Sequence, residues 1–375
     1  MSKAKAARYI MIGGFLGAGK TTAVARLAEK LRSDGLRLGL ITNDQGSQLV
    51  DTAMLSSRGF AVEEIAGGCF CCRFNSLTEA ARKLSAETRP DVFIAEPVGS
   101  CTDLVATVTY PLRRMYGENF SIAPLSVLVD PIRARRILGL EAGGSFSEKV
   151  IYIYEKQLQE ANLIVINKAD LMEGEQLRAL QDALENRFPG KAILQISARR
   201  GDGVKEWFER ISSAEQPFEP AMEVDYRVYG EGEALLGWLN STVQIESSSE
   251  LDANELLRTF ATKLQRALMK EGAEVAHLKM TLSPDDAFSD VAVINLVRND
   301  AQPELSQELP EPIESGDLIL NLRAEAAPET LRAIVETVTR ECSQSSGCTM
   351  KIEHIESFRP GQPTPTHRIT SLENS

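Results

Sequence analysis

Three cysteines fall within four residues in the run Gly67-Gly68-Cys69-Phe70-Cys71-Cys72-Arg73. Thiolates are soft donors, so thiols crowded on a glycine-hinged turn suit Zn²⁺ and other borderline or soft ions. Cys69, Cys71 and Cys72 would supply three ligands and leave the fourth position to water or a partner. Adjacent Arg73 would favour the thiolate form. Two further readings stay open at this point, a redox-active thiol group and a set of buried, inert cysteines.

A second constellation carries phosphate chemistry. Gly14-Phe15-Leu16-Gly17-Ala18-Gly19-Lys20-Thr21 follows the apolar run Tyr9–Ile12 and precedes a helical pattern from Thr22. Glycines at 14, 17 and 19 let the backbone fold around a phosphate with its N–H groups inward, and the helix beyond Thr22 adds the positive end of its dipole. Lys20 would reach the β- and γ-phosphates, and the Thr21 hydroxyl would bind Mg²⁺.

Further along, Asn167-Lys168-Ala169-Asp170 follows the apolar run Leu163–Ile166. The Asp170 carboxylate can accept hydrogen bonds from N1 and the exocyclic amine of guanine. Adenine has an acceptor at N1, so it would leave buried polar groups unpaired, which selects GTP over ATP. Ser197-Ala198-Arg199 would close the base pocket through the backbone. Glu96, followed by Pro97-Val98-Gly99, either binds Mg²⁺ through water or positions the attacking water, with Gly99 sensing the γ-phosphate. Asp44 and Asp51 are each either switch ligands of Mg²⁺ or solvated surface carboxylates. The residue that activates water stays open.

These residues require a framework that holds loops at strand ends. Short apolar runs alternate with amphipathic stretches through the first two hundred residues, predicting strands at 9–12, 38–42, 92–95, 125–129, 163–166 and 192–196, with a short one near 61–65. Helices are expected at 22–33, 77–88, 147–160 and 174–188. The pattern is a doubly wound, mostly parallel α/β sheet of the P-loop NTPase kind, whose ligands sit beyond the carboxyl ends of the strands. Every motif above lies at such an end.

The expected organisation is a nucleotide domain at 1–213, a linker at 214–222 that contains Pro217 and Pro220, a smaller α+β domain at 223–358 and an extended tail at 359–375. The second domain reads as strand 235–245, helix 252–270, strands 275–282, 290–297 and 317–322, helix 329–341 and strand 349–355, a ferredoxin-like layer. The acidic stretch from Asp300 to Pro312 reads as an exposed loop.

The 375 residues carry a net charge of −12, which argues against a nucleic-acid backbone or an anionic membrane as the main partner. The six cysteines do not form a disulfide-scaffold pattern, and a reducing cytoplasm is expected. Lys3, Lys5 and Arg8 before an apolar run imitate a signal peptide, but Gly13 and Gly14 interrupt that run and it leads straight into Lys20.

The phosphate loop with Thr22, then Gly-Cys-x-Cys-Cys, Glu-x-x-Gly and Asn-Lys-x-Asp, together resemble the CobW-type GTPases, cousins of the urease and hydrogenase nickel-insertion GTPases. The resemblance covers the first domain, including Val129-Asp130 and the run from Gln157 to Leu171, and extends weakly to Ala276-His277-Leu278-Lys279. It implies slow intrinsic GTP hydrolysis, Zn²⁺ or Co²⁺ at Cys69, Cys71 and Cys72, and delivery of that metal to a metal-dependent client protein. It leaves open a nucleotide-dependent homodimer. The family's usual Asn-Glu-x-Gly-Glu segment reads Asn43-Asp44-Gln45-Gly46-Ser47 here, so an auxiliary carboxylate ligand is missing at Ser47, and no histidine-rich stretch suggests storage. The rivals are a GTPase that activates or reloads a cofactor-dependent enzyme, such as a corrinoid (cobalamin-type) enzyme, and a GTP-binding redox-responsive regulator.

Overall fold

Residues 6–43, 50–285 and 291–371 are described in the computed structural model, apart from the side chains of residues 51, 53 and 57. The chain forms two compact units. One comprises Met1–Gln45, Arg58–Tyr229 and Pro363–Ser375, and the other Gly46–Ser57 and Gly230–Gln362.

The first unit is built on β1 (Ala7–Gly14), β2 (Leu38–Asn43), β3 (Val62–Ile65), β4 (Val92–Glu96), β5 (Phe120–Ile122), β6 (Ser126–Val129), β7 (Leu163–Ile166) and β8 (Ala192–Gln195). Their order is β3-β2-β4-β1-β6-β7-β8, with β5 beside β1, and every pairing is parallel. Leu163, Ile164, Val165 and Ile166 are all buried, as a central strand covered on both faces demands. β5 had no sequence signal, because three residues are too few to show a period.

The helix Lys20–Ser33 begins two residues earlier than its apolar pattern suggested. Gly19 precedes it in the left-handed conformation and supplies no side-chain cap, and the positive end of the helix dipole faces the phosphate loop.

The segment expected as a linker docks on this unit. Gln216 is buried, its N–H donates to Ile122 O at 2.9 Å, and Arg113 donates to Gln216 O at 2.9 Å. Two prolines prevent regular structure there but not packing.

The second unit holds β9 (Leu236–Leu251), β10 (Glu274–Pro284), β11 (Ala292–Leu296), β12 (Glu304–Gln307), β13 (Ile313–Glu325) and β14 (Thr349–Phe358) in the antiparallel order β12-β11-β10-β13-β9-β14. With helices Ala253–Lys270 and Pro328–Ser346, the order β14-β9-β13-β10 is that of a βαββαβ ferredoxin-like layer, and β11 and β12 extend one edge. Asp252 caps the first helix by accepting from Glu255 N at 3.0 Å, and that helix buries Leu256, Leu257, Phe260, Leu264 and Leu268.

β12 corrects the expectation of a loop at 300–312. Glu304-Leu305-Ser306-Gln307 alternates exposed with half-buried positions, and an edge strand tolerates such polar composition. The helix Val50–Ser57 packs on β10 and β13 of this unit, and Val50 N–H donates to Asn321 Oδ1 at 3.2 Å. Among the described residues no helix is long and apolar enough to cross a membrane.

Candidate functional site

The phosphate loop leaves β1 at Gly14, whose φ is 133° and where a Cβ would come within 2.4 Å of Leu128 O. Gly19, at φ 87°, sits against Asn167, and a Cβ there would lie 2.5 Å from its Nδ2. Only glycine fits either position. Lys20 is buried with Nζ 3.5 Å from Phe15 O, so its ammonium is held over the loop. Thr22 is exposed at the start of the helix.

At the end of β4, Glu96 Oε1 accepts from Thr21 Oγ1 at 3.0 Å, and both residues are buried. Two hard oxygen donors side by side at a phosphate loop fit a Mg²⁺ ion. Gly99 abuts the phosphate loop so closely that a Cβ would lie 3.0 Å from Leu16 N. Asp44 and the Asp51 side chain lie outside the described residues.

Asn167 ties three segments together. Its Nδ2 donates to Ala18 O at 2.9 Å and its Oδ1 accepts from Ala198 N at 2.9 Å, so Ala198 supports the loop from Asn167 to Asp170 through Asn167. Lys168, with φ 56°, donates to Gly17 O at 2.7 Å and to Asp130 Oδ2 at 2.8 Å. Asp130 also caps the helix Pro131–Ile137 through Arg133 N at 3.0 Å. The Asp170 side chain lies 3.4 Å from Arg200 Nε. Ser197 Oγ accepts from Arg200 N at 3.1 Å, and exposed Arg199 is held through its carbonyl by Arg26 at 2.6 Å.

The links from Asp130 to Lys168 and from Arg26 to Arg199 are absent from the motifs, because each joins residues far apart in the chain. Arg133, which donates to Leu16 O at 3.1 Å, was missed for the same reason.

The thiol loop follows β3 and leads into the helix Phe74–Glu87. Its sulfurs lie 2.8 Å (Cys69–Cys71), 3.2 Å (Cys69–Cys72) and 3.6 Å (Cys71–Cys72) apart, with Cys69 and Cys71 buried and Cys72 half-buried. These three form a group able to hold a metal ion. Asn43, at the end of β2, anchors the loop by donating to Ile65 O (2.9 Å) and Gly68 O (2.7 Å) and accepting from Phe70 N (2.9 Å).

Hydrogen bonds from the Cys101, Cys71 and Cys72 thiols hold the Cys69 thiol well below its ordinary pKa. The hydrogen bond with Cys69 pushes Cys71 well up, and the same partner, with burial, takes Cys72 to about 11. Arg73 is turned to Gly67 O at 3.0 Å, so the Cys69 thiolate owes its stability to neighbouring thiols. Metal entry must therefore expel at least the Cys71 and Cys72 protons. Because each proton released multiplies affinity tenfold per pH unit, Zn²⁺ affinity should rise about 100-fold or more per unit below neutrality. Chelator-competition titrations at pH 6 and 7 check this, and a slope under tenfold would contradict it.

The tail expected to be extended has no regular structure, but it is docked. Thr364 N–H donates to Cys72 Sγ at 3.3 Å, Thr366 N–H to Cys71 O at 2.8 Å and Thr366 Oγ1 to Cys72 O at 3.0 Å. Arg368 Nε donates to Asp103 Oδ2 at 2.7 Å, and His367 meets Phe74 edge-on with ring centres 5.1 Å apart.

Nearby Glu160 accepts from Thr102 Oγ1 (3.2 Å) and Val105 N (3.1 Å), and burial pushes its carboxyl up to about 8. A folded pKa above the unfolded one gives stability that is complete below the unfolded value and lost as pH rises through the folded value. Glu160 should thus make the protein less stable by about 3–5 kcal/mol between pH 4.5 and 8. Urea unfolding across that range should show the slope, and Glu160→Gln should flatten it.

A cavity lined by Arg8, Arg37, Arg82, Asp91 and Tyr116 opens at the amino ends of β1 and β4, opposite the motif-bearing loops, and takes no part in this site.

A parallel sheet with a glycine-built phosphate loop, the Asn167–Asp170 loop tied to it and oxygen donors at the end of β4 defines a P-loop nucleotide-binding domain. The chain belongs to the CobW/HypB/UreG family, whose nucleotide-binding domain matches residues 8–195, half of the chain. It is similar to the zinc chaperone CobW of Sinorhizobium sp, 31% identical over 214 residues that are 51% of this chain and 59% of that protein. It is also similar to the zinc chaperone YeiR of Escherichia coli, 28% identical over 218 residues, 57% of this chain and 62% of that one. The matches thus span about three-fifths of each relative's length. Among solved structures, the Zn(II)-bound YjiA GTPase from E. coli aligns at 14% identity over 89% of this chain and 99% of that chain, with a TM-score of 0.40.

Proposed function

We propose that this protein is a GTP-binding and GTP-hydrolysing metallochaperone that carries a thiophilic divalent ion, Zn²⁺ first and Co²⁺ second, to a client protein. The observation that carries this reading is Asn43. It stands at the end of β2, where the switch segment begins, and its side chain makes three hydrogen bonds to the thiol loop and the strand end before it. A change in the switch segment on nucleotide exchange is thereby felt at the thiols.

In this reading Lys20 neutralises charge on the β- and γ-phosphates, and Asp170 selects guanine. Thr21 and Glu96 would hold Mg²⁺, which would supply charge stabilisation at the phosphates. Glu96 also orients water, and the N–H of Gly99 meets the γ-phosphate. Cys69, Cys71 and Cys72 hold the cargo. Loss of the γ-phosphate releases the segments that begin at Asn43 and Glu96 and lowers metal affinity, which is the coupling free energy that delivery needs. The zinc-chaperone names of the relatives support zinc as the first cargo to test.

The test is anaerobic titration of Zn²⁺ and Co²⁺ into reduced protein loaded with a non-hydrolysable GTP analogue or with GDP. Affinity should differ at least about fivefold between the nucleotide states, the lower end of usual coupling energies. Equal affinity in both would remove the basis of the cycle.

A further inference from the structure

We infer that residues 363–370 form a strap over the metal site, which must lift from Cys72 for an ion to enter or leave. This rests on the reading of Cys69, Cys71 and Cys72 as ligands of the cargo, and it adds to that reading a barrier to exchange that the chain itself supplies.

The strap belongs to the same compact unit as the thiol loop. Pro363 is buried and Pro365, His367 and Ile369 are half-buried, while Thr364, Thr366, Arg368 and Thr370 are exposed, which is the alternation of an extended chain lying on a surface. Pro363 and Pro365 restrict φ on either side of Thr364 and carry no N–H, so docking orders little free chain and leaves no donor unpaired between Thr364 and Thr366. Three hydrogen bonds reach the thiol loop, from Thr364 N–H to Cys72 Sγ at 3.3 Å, from Thr366 N–H to Cys71 O at 2.8 Å and from Thr366 Oγ1 to Cys72 O at 3.0 Å. Beyond them the chain is latched. Arg368 donates through Nε to Asp103 Oδ2 at 2.7 Å and through Nη2 to Met222 O at 2.9 Å, Ile369 N–H donates to Ala106 O at 2.8 Å, and Thr370 O accepts from Ala221 N at 3.0 Å. Asp103 is 1% exposed, so parting it from Arg368 leaves a carboxylate buried without its cation.

A tetrahedral zinc–thiolate site with bonds of about 2.3 Å has sulfur–sulfur edges of about 3.8 Å. The three sulfurs of the thiol loop are 2.8, 3.2 and 3.6 Å apart, so they must separate to admit an ion. Cys69 and Cys71 are buried and Cys72 is half-buried, so Cys72 has the most room to move, and its sulfur is the one that the strap holds. Because a single extended segment bonds the Cys72 sulfur and the carbonyls of Cys71 and Cys72, lifting it frees all three points together. Entry and release of the ion therefore pass through the same lifted state.

Stopped-flow transfer of Zn²⁺ between the full-length protein and a chromophoric chelator, run in both directions, gives the rates of entry and release. Thr364→Pro removes the N–H donated to Cys72 and keeps the extended backbone to which Pro365 already biases residue 364, whereas deletion from residue 363 onward removes all three bonds to the thiol loop. One net hydrogen bond of ordinary strength corresponds to about fivefold, so entry and release should both be about fivefold faster in Thr364→Pro and at least about tenfold faster in the deletion. Thr364→Pro retains the pair between Arg368 and Asp103, so it decides the matter alone if the deletion does not fold. Faster release with unchanged entry would mean that the segment only supports Cys72, and this result, or both rates within twofold of wild type, would overturn the strap and leave the metallochaperone reading intact. A wild-type protein that takes up no Zn²⁺ would overturn both.

Discussion

Asp170→Asn should convert this protein from one that binds GTP into one that prefers xanthosine triphosphate. The carboxylate follows the left-handed Lys168 in the turn Ala169–Leu171, and its side chain is 11% exposed beside Arg200. In the proposed reading guanine would offer two donors to that carboxylate, and each charge-assisted hydrogen bond is worth about 1.5–3 kcal/mol. The amide keeps one acceptor for N1 but turns its own NH2 towards the exocyclic amine, and loss of up to about 3–6 kcal/mol for the pair weakens GTP binding by about 10²–10⁴-fold. Xanthine carries an oxygen where guanine carries the exocyclic amine, and the amide introduced by the substitution can donate to it, so affinity for xanthosine triphosphate should rise. Calorimetric titration of both nucleotides into both proteins measures the switch. If the variant keeps GTP affinity within threefold, this loop does not read the base.

Replacing Cys69, Cys71 and Cys72 together by serine should lower Zn²⁺ affinity by at least about 10³-fold, because an alcohol does not deprotonate at neutral pH to replace a thiolate and three metal–sulfur bonds are lost. Nucleotide affinity should stay within a few-fold, since the described contacts of these thiols are with one another, Cys101 and the docked tail, with none to the phosphate loop. Parallel titrations with a chromophoric chelator and a fluorescent GTP analogue separate the two. Retained zinc affinity would place the metal elsewhere, and a joint loss would mean that the thiols support the nucleotide fold.

The motifs that could be read directly are those whose chemistry and geometry are carried by adjacent residues. Gly14 and Gly19 are needed because backbone and side-chain atoms crowd their α-carbons, and Lys20 and Thr21 follow within the same turn. Cys69, Cys71 and Cys72 meet because a turn joins Cys72 and Arg73 N–H to Cys69 O at 3.0 and 2.9 Å. The strands β7 and β8 were legible because continuous apolar runs between helical patterns permit little else. β5 and β12 were not, one being too short and the other too polar, and both exist only because a neighbouring strand offers its edge.

Residues whose roles depend on a distant partner stayed silent. Asn43 read as the start of a switch segment, and its grip on the thiol loop follows from β2 lying beside β3. The tail read as extended, while Thr364 and Thr366 bond to the thiol loop.

From the sequence alone came the identity of the donors, that is, which atoms can meet phosphate, guanine and a soft metal, because these are properties of side chains and of short backbone turns. Tertiary structure decided which donors act together. The order β3-β2-β4-β1 places the loops after β2, β3, β4 and β1 at one edge of the sheet, so segments far apart in the chain share one site. Strand order is set by how buried faces pack across the whole unit, and no local run of residues encodes it.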